Sequence, residues 1–177
     1  MSDADFWNSD PMLLMSDFGK IGFAFTSAEK NAADCRLAGA VTCFGIGVYE
    51  SVIRFGEAGG VEAVELSLYN NGGVETVEEV KFDDGSKVRK RGREDRVLSR
   101  EEFMSVCKTV AASLTAAGQK QPRATNGNMR SAEMTVKEKS WKRSVFGGAA
   151  KLSWSYRQQG KNAGSFKPGY VKLVVSR

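Results

Sequence analysis

Ser105 and Lys108 are the residues of this 177-residue chain whose types and spacing come closest to a catalytic pattern. In a Ser-x-x-Lys arrangement, a lysine one helical turn after a serine can deprotonate the hydroxyl and make it a nucleophile. The Ser-Asp-Asn and Lys-Thr-Gly elements that accompany such a pair in known enzymes are absent from the sequence. The pair therefore defines one alternative, in which the chain is an enzyme that works without histidine.

The sequence contains no histidine, and this absence excludes more chemistry than any motif suggests. Histidine is the commonest general base, a frequent metal ligand and a member of most serine and cysteine triads. A chain without histidine cannot use most hydrolase mechanisms. We therefore expect that the protein is not an enzyme.

The cysteines and carboxylates do not have the spacing of a metal site. Cys35, Cys43 and Cys107 are irregularly spaced and form no Cys-x-x-Cys pair. We expect them to be small buried hydrophobic residues, although a Cys35–Cys43 disulfide stays open. The carboxylates between Glu75 and Asp84 lack the ligand spacing of a calcium-binding loop. We expect no metal and no cofactor.

Basic residues give the clearest indication of a binding partner. The net charge is +5, and residues 130–177 hold eleven lysines and arginines against two acidic residues. Such cations, among them the exposed-looking Lys137, Lys139, Lys142 and Arg143 beside Trp141, can neutralise phosphates, and the tryptophan can stack on a base. Nucleic-acid binding is therefore an alternative function. The candidate binding residues are Lys87, Arg89, Lys90, Arg91, Arg93, Arg96, Trp141, Lys142 and Arg143. The basic block at residues 87–96 follows an acidic stretch at residues 50–84, and the two could instead pair with each other inside the fold.

One long amphipathic helix is predicted over residues 99–117. Ser99 and Glu102 form a capping box before a run of apolar residues at three- and four-residue steps, and Gly118 ends it. A short helix is predicted near the N-terminus, because Asp10 can cap it and Pro11 suits the first helical position.

Runs of β-branched and aromatic residues precede and follow the long helix. They cover residues 21–26, 40–44, 48–55, 61–69, 77–82, 133–141, 149–157 and 170–175. The glycines of the segment 44–47 lead into another such run, so they indicate a tight turn rather than a phosphate-binding loop. The order predicts an α+β fold: an antiparallel β-sheet of about six to eight strands with the long helix packed on one face.

Length and composition predict a single domain over residues 1–177. No apolar run approaches the ~20 residues of a membrane span, and the acidic N-terminus is unlike that of a signal peptide. The sequence ends inside a strand-like run at residues 174–177, which suggests that the chain is a piece of a longer protein.

Several strings resemble an uncharacterised bacterial domain that precedes a papain-like, bacteriocin-processing-type cysteine peptidase domain. They are Phe44-Gly-x-x-Val48-Tyr49-Glu50, Leu66-Ser-Leu-Tyr-Asn70, Ser99-x-Glu101-Glu102-Phe103, Trp141, Leu152-Ser-Trp-Ser155 and Phe166-x-Pro-x-Tyr170-Val-x-Leu173. The resemblance covers about residues 6–175, and it implies a secreted or cell-envelope protein; without it, a cytoplasmic one is expected. The chain departs from that domain at Tyr69-Asn70-Asn71-Gly72-Gly73, where Tyr-Asn-Arg-Gly-Asp is usual, so any role of those two charges is not carried over.

The resemblance and the missing histidine together favour a supporting role. No histidine is present to activate a cysteine, so the chain cannot be the peptidase itself. We expect a non-catalytic accessory or protein-interaction domain, a regulatory or targeting module beside a cysteine peptidase. Its partner would be another protein or an adjacent domain of the same polypeptide.

Overall fold

The fold is seen in a computed structural model that describes residues 6–20, 23–29, 32–37, 42–57, 59–70, 74–81, 87–94, 97–115, 130–131, 134–158 and 166–177. Its helices are α1 (Pro11–Lys20) and α2 (Arg100–Ser113). Its strands are β1 (Phe23–Glu29), β2 (Ala32–Leu37), β3 (Thr42–Cys43), β4 (Ile46–Gly47), β5 (Glu50–Phe55), β6 (Val61–Asn70), β7 (Val74–Lys81), β8 (Lys87–Glu94), β9 (Arg130–Ser131), β10 (Met134–Trp141), β11 (Ala149–Gln158) and β12 (Phe166–Ser176).

The described strands form one large antiparallel sheet and two separate hairpins. The order in the large sheet is β1-β2-β5-β6-β12-β11-β10-β9, while β3 pairs with β4 and β7 pairs with β8. The central contact joins β6 to β12, which pairs Leu66 with Leu173 across more than half of the sequence. The prediction of an α+β fold built on an antiparallel sheet is confirmed.

Helix α2 begins at the capping box that the sequence indicates. The Glu102 backbone N–H donates to Ser99 Oγ at 3.2 Å, and the Ser99 N–H donates to Glu102 Oε2 at 2.8 Å. These two bonds satisfy amide groups that have no partner inside the helix. One side of α2 is apolar and buried, and it contains Phe103, Cys107, Val110 and Ala111.

The helix ends at Ser113, so the expectation that it reaches Ala117 is wrong. Leu114 is its C-cap, and the Thr115 N–H donates to the Ala112 carbonyl at 3.2 Å, a shorter-range bond that tightens the last turn. The Thr115 hydroxyl also donates to the Ala111 carbonyl at 3.2 Å. Apolar residues continue at helical spacing beyond Ser113, so their pattern alone predicts a longer helix. The pattern carries no information on the local hydrogen bonds that end the helix here.

The N-terminal helix α1 has the predicted cap. The Asp10 side chain accepts hydrogen bonds from the backbone N–H groups of Met12, at 2.8 Å, and Leu13, at 3.4 Å. Leu14 is 1% exposed and packs in a small cluster with residues of the β5–β6 hairpin. Met12 and Leu13 lie on the exposed side.

The main core lies between α2 and one face of the sheet. Phe103 and Val110 on α2 are fully buried, as are Leu152 on β11 and Leu173 on β12. Each such side chain contributes roughly 1.5–3 kcal/mol when removed from water. Neither described helix has the length and apolar content that crossing a membrane requires.

The β3–β4 hairpin closes on the predicted tight turn. Phe44 and Gly45 form the turn with φ angles of 54° and 76°. This left-handed conformation suits glycine and is unfavourable for phenylalanine, as expected for a two-residue hairpin turn. The Phe44 ring packs 5.6 Å from the ring of Phe146, which compensates for the strained backbone.

We predict that Ser99→Ala lowers the free energy of unfolding by about 1 kcal/mol, because it removes the cap of α2. Ser105→Ala is the matched control, since Ser105 is exposed on the same helix and alanine favours helix formation. Urea unfolding followed by circular dichroism measures both. Equal stabilities of the two variants would contradict the capping role.

Candidate functional site

The proposed catalytic pair lies on the outer surface of α2. Ser105 and Lys108 are both exposed, whereas Cys107 between them is only 3% exposed. Two side chains directed into water lack the enclosed site in which a serine–lysine pair could act on a bound substrate.

The environments of Cys43 and Cys107 disfavour their reactive thiolate forms. Burial raises the pKa of the Cys107 thiol to about 12, although a backbone hydrogen bond and the positive charge of Lys139 act in the opposite direction. Burial also raises the pKa of Cys43. Both are free thiols, so the Cys35–Cys43 disulfide that the sequence left open is not formed. A thiol that stays protonated at neutral pH is a poor nucleophile.

Trp141 is a core residue rather than an accessible ring. It is 5% exposed, and its Nε1–H donates to Thr115 Oγ1 at 3.3 Å. The bond ties the end of β10 to the end of α2. A nucleic-acid base could not stack on this ring without opening the core.

The predicted basic block forms β8, in a hairpin separate from the large sheet. By backbone register, Arg89, Lys90 and Arg93 stand opposite Glu79, Glu78 and Glu75 of β7, respectively. The remaining two, Lys87 and Arg91, stand opposite Lys81 and Val77. Arg96 lies outside the described residues. Three acidic residues of the 50–84 stretch thus stand opposite three cations of the basic block in the backbone register.

Lys142 and Arg143 are exposed where the chain leaves β10. The loop after them is fixed by Ser144, which is 3% exposed. Its hydroxyl donates to the Gly148 carbonyl at 2.9 Å and accepts from the Phe146 N–H at 3.2 Å. The two cations thus project from an ordered turn.

Strand β10 lies near one border of the large sheet. β9 pairs with Met134 and Thr135, and residues 116–129, which lead into β9, lie outside the described residues. We call residues 136–143, which contain most of β10 and the two exposed cations after it, the basic edge.

Two further lysines lie along the basic edge. Lys137 and Lys139 stand opposite Trp154 and Leu152 of β11, so both occupy the face of the sheet that α2 covers. Both are half-buried, and Lys137 Nζ lies 5.9 Å from the ring centroid of Tyr156. The sequence predicts both lysines as exposed cations beside Trp141, and this exposure is wrong, because they lie half-buried on the face that α2 covers.

Several cations elsewhere in the sheet are neutralised. Glu65 accepts bonds from Arg54 Nε at 2.8 Å and Lys172 Nζ at 2.9 Å. Burial opposes the ionisation of Glu65, but these hydrogen bonds and positive charges prevail and lower the pKa of its carboxyl group. Lys151 pairs with Glu138 at 2.8 Å. By contrast, Lys139, Lys142 and Arg143 form no ion pair with any described residue.

A polar groove of about 570 Å³ lies where the segment 7–10 meets the β5–β6 turn and Arg177. Arg177 Nη1 donates to Asn8 Oδ1 at 2.6 Å across it. Its carboxylates are those of Asp10, Glu57 and Glu62, and Asp10 is engaged in capping α1. Within the described residues no cluster of histidine, cysteine or carboxylate side chains could hold a metal ion.

Comparison with protein-family models, with curated proteins and with solved structures found no match for this chain. Function must therefore be argued from the geometry of the chain itself. The arrangement brings Lys142 and Arg143 together with Lys137 and Lys139, and it assigns Trp141 to the core and the β8 cations to another hairpin.

We predict that Trp141→Phe destabilises the fold by at least about 1 kcal/mol more than Trp154→Phe. The two rings are similarly buried, but Trp154 Nε1 has no hydrogen-bond partner in the part of the chain that the structure describes. Phenylalanine at position 154 removes an unsatisfied donor, whereas at position 141 it removes a bond. Urea unfolding followed by circular dichroism compares the variants, and a larger loss for Trp154→Phe would contradict the assignment.

Proposed function

We propose that this chain is a non-catalytic protein-interaction domain that binds its partner through the basic edge. One observation carries the proposal: Lys139, Lys142 and Arg143, which lie near one border of the sheet, form no ion pair with any described residue. Unpaired cations on an ordered surface suit an acidic partner.

The scaffold in this proposal is the sheet of six to eight strands with one long helix across one face, and it carries no reacting group. The exposure of Ser105 and Lys108 and the high pKa of Cys107 support a non-catalytic role. The resemblance to a domain that precedes a cysteine peptidase supports an accessory role beside such an enzyme. In that setting the partner is an adjacent domain or another protein.

Nucleic-acid binding through β8 is the competing proposal, and two observations weigh against it. Three of the five described β8 cations stand opposite glutamates of β7 in the register. Glutamates at those positions repel phosphates that the cations would otherwise attract. The ring of Trp141, on which a nucleic-acid base would have to stack, is buried.

We predict that the protein binds labelled polyglutamate more tightly than a single-stranded oligonucleotide of matched charge. The double variant Lys142→Ala/Arg143→Ala should weaken polyglutamate binding about tenfold, because it removes two exposed ion pairs of about 0.5–1 kcal/mol each. Fluorescence anisotropy at low salt and at about 150 mM salt measures both affinities.

The matched control is Arg100→Ala/Lys167→Ala, which removes the same formal charge from exposed positions on α2 and β12. The control variant should change the affinity for polyglutamate by less than about twofold, since it alters only the overall electrostatic potential of the protein. Tighter binding of the oligonucleotide, or an equal loss in the control, would contradict the proposed interaction surface.

A further inference from the structure

The turn between β10 and β11 carries apolar residues at corners that usually hold polar ones. The Ser144 N–H donates to the Gly148 carbonyl at 2.7 Å, and the Gly147 N–H donates to the Ser144 carbonyl at 3.0 Å. These bonds close a tight turn with Val145 and Phe146 at its corners, where glycine, proline, asparagine, aspartate and serine are the favoured residues. Phe146 packs against the main core, but Val145 is 43% exposed. Packing within the fold therefore does not explain the valine.

A second apolar turn lies beside the first. Phe44 stands at the tip of the β3–β4 hairpin, and its ring lies 5.6 Å from the ring of Phe146. Glycine would adopt the Phe44 φ angle of 54° without strain, so the ring is present at a conformational cost. Strained residues of this kind cluster at binding sites. Phe44 and Phe146 are both half-buried, and together with Val145 they form a patch that we call the apolar tip.

The apolar tip is continuous with the basic edge. Lys142 and Arg143 are exposed and precede the turn directly. Because consecutive Cα atoms are about 3.8 Å apart, those of Arg143 and Val145 lie within about 7.6 Å of each other. Ser144 between them is 3% exposed, and its hydroxyl bonds hold the turn in place. A ligand bound to the two cations therefore lies within reach of the apolar tip.

The exposed area of the apolar tip suits one bulky side chain of a partner. A single exposed valine is common on protein surfaces and needs no explanation by itself. This valine differs because it adjoins two aromatic rings and two cations that form no ion pair with any described residue. An apolar anchor surrounded by charged contacts is the common arrangement of protein–protein interfaces.

The carboxylates near this turn favour a protein segment over an anionic membrane. Ser176 lies against Gly148, since a Cβ atom added at Gly148 would collide with the Ser176 carbonyl. The next residue, Arg177, donates its backbone N–H to the Glu62 carbonyl at 3.2 Å. The exposed Glu62 is thus only one strand away from the turn, because β6 and β11 both flank β12. A flat anionic surface would meet this carboxylate, whereas a narrow segment can avoid it.

We propose that the acidic segment of the partner carries a bulky apolar side chain that packs on the apolar tip while its carboxylates bind Lys142 and Arg143. The inference rests on the proposed function and adds a requirement that charge does not impose. An extended segment rises about 3.3 Å per residue, so an apolar residue two or three positions from a carboxylate can make both contacts. Such a segment is selected over other acidic sequences.

The test uses the full chain and two fluorescent peptides of equal charge, six glutamates followed by Ser-Phe and six glutamates followed by Ser-Ser. Fluorescence anisotropy should show that the phenylalanine peptide binds at least about fivefold more tightly. Both affinities should fall between low salt and about 150 mM salt, since salt screens the ion pairs. Their ratio should stay constant, because apolar burial is not screened.

The position of the apolar contact is tested with Val145→Ser. This variant should reduce the ratio of the two affinities to less than about twofold, and it should fold because serine is favoured in turns. Val97→Ser is the matched control and should keep the full ratio. Val97 is 70% exposed and precedes α2, whereas the β10–β11 turn follows Trp141, which bonds to Thr115 beyond the other end of α2. Circular dichroism checks that both variants are folded.

Four outcomes would overturn the inference. If both peptides bind equally and need Lys142 and Arg143, the proposed function survives and the apolar contact is wrong. If neither peptide binds, both proposals fail. If Val97→Ser reduces the ratio as much as Val145→Ser, the apolar tip is not the contact. If phenylalanine adds nothing but the protein sediments with vesicles of phosphatidylcholine and phosphatidylserine in a manner that needs Val145, the apolar tip is a membrane contact.

Discussion

Burial of the apolar side of α2 against β11 and β12 is the interaction on which the rest of the structure depends. Phe103, Val110 and Leu114 are fully buried there, opposite Leu152 and Leu173. The strands that form this face come from both ends of the chain, because β12 pairs with β6 as well as with β11. The helix therefore covers one face of the sheet, so a partner can reach only the other face and the edges.

The ion pairs of the large sheet lie on the face that α2 does not cover. On the face away from α2, Glu65 binds Arg54 and Lys172, and Glu138 binds Lys151. In the β7–β8 hairpin, three glutamates stand opposite three cations in the register. Part of the positive charge is thus neutralised within the sheet, and the net charge of +5 is the sum over the whole sequence. In the basic edge Glu138 pairs with Lys151, but Lys139, Lys142 and Arg143 form no ion pair with any described residue, and we connect that local excess, rather than the total, with binding.

Local signals predicted local structure well, since their physical causes lie within a few residues. The cap at Ser99, the cap at Asp10 and the turn at Gly45 each depend on neighbours in sequence. The burial of Trp141 could not be predicted in this way, because the contacts that bury it are distant in sequence. Its hydrogen-bond partner Thr115, for example, is 26 residues away. The strand order, which places β10 near one border of the sheet, is likewise set by long-range packing that no local pattern encodes.

Amide hydrogen exchange along β10 would test the central claim most directly, because it reports on the backbone groups of the basic edge themselves. Addition of polyglutamate should slow the exchange of amides at residues 136–143 and leave the amides of α2 unchanged. Unchanged exchange in β10, together with slowed exchange in β8 or α2, would contradict the account.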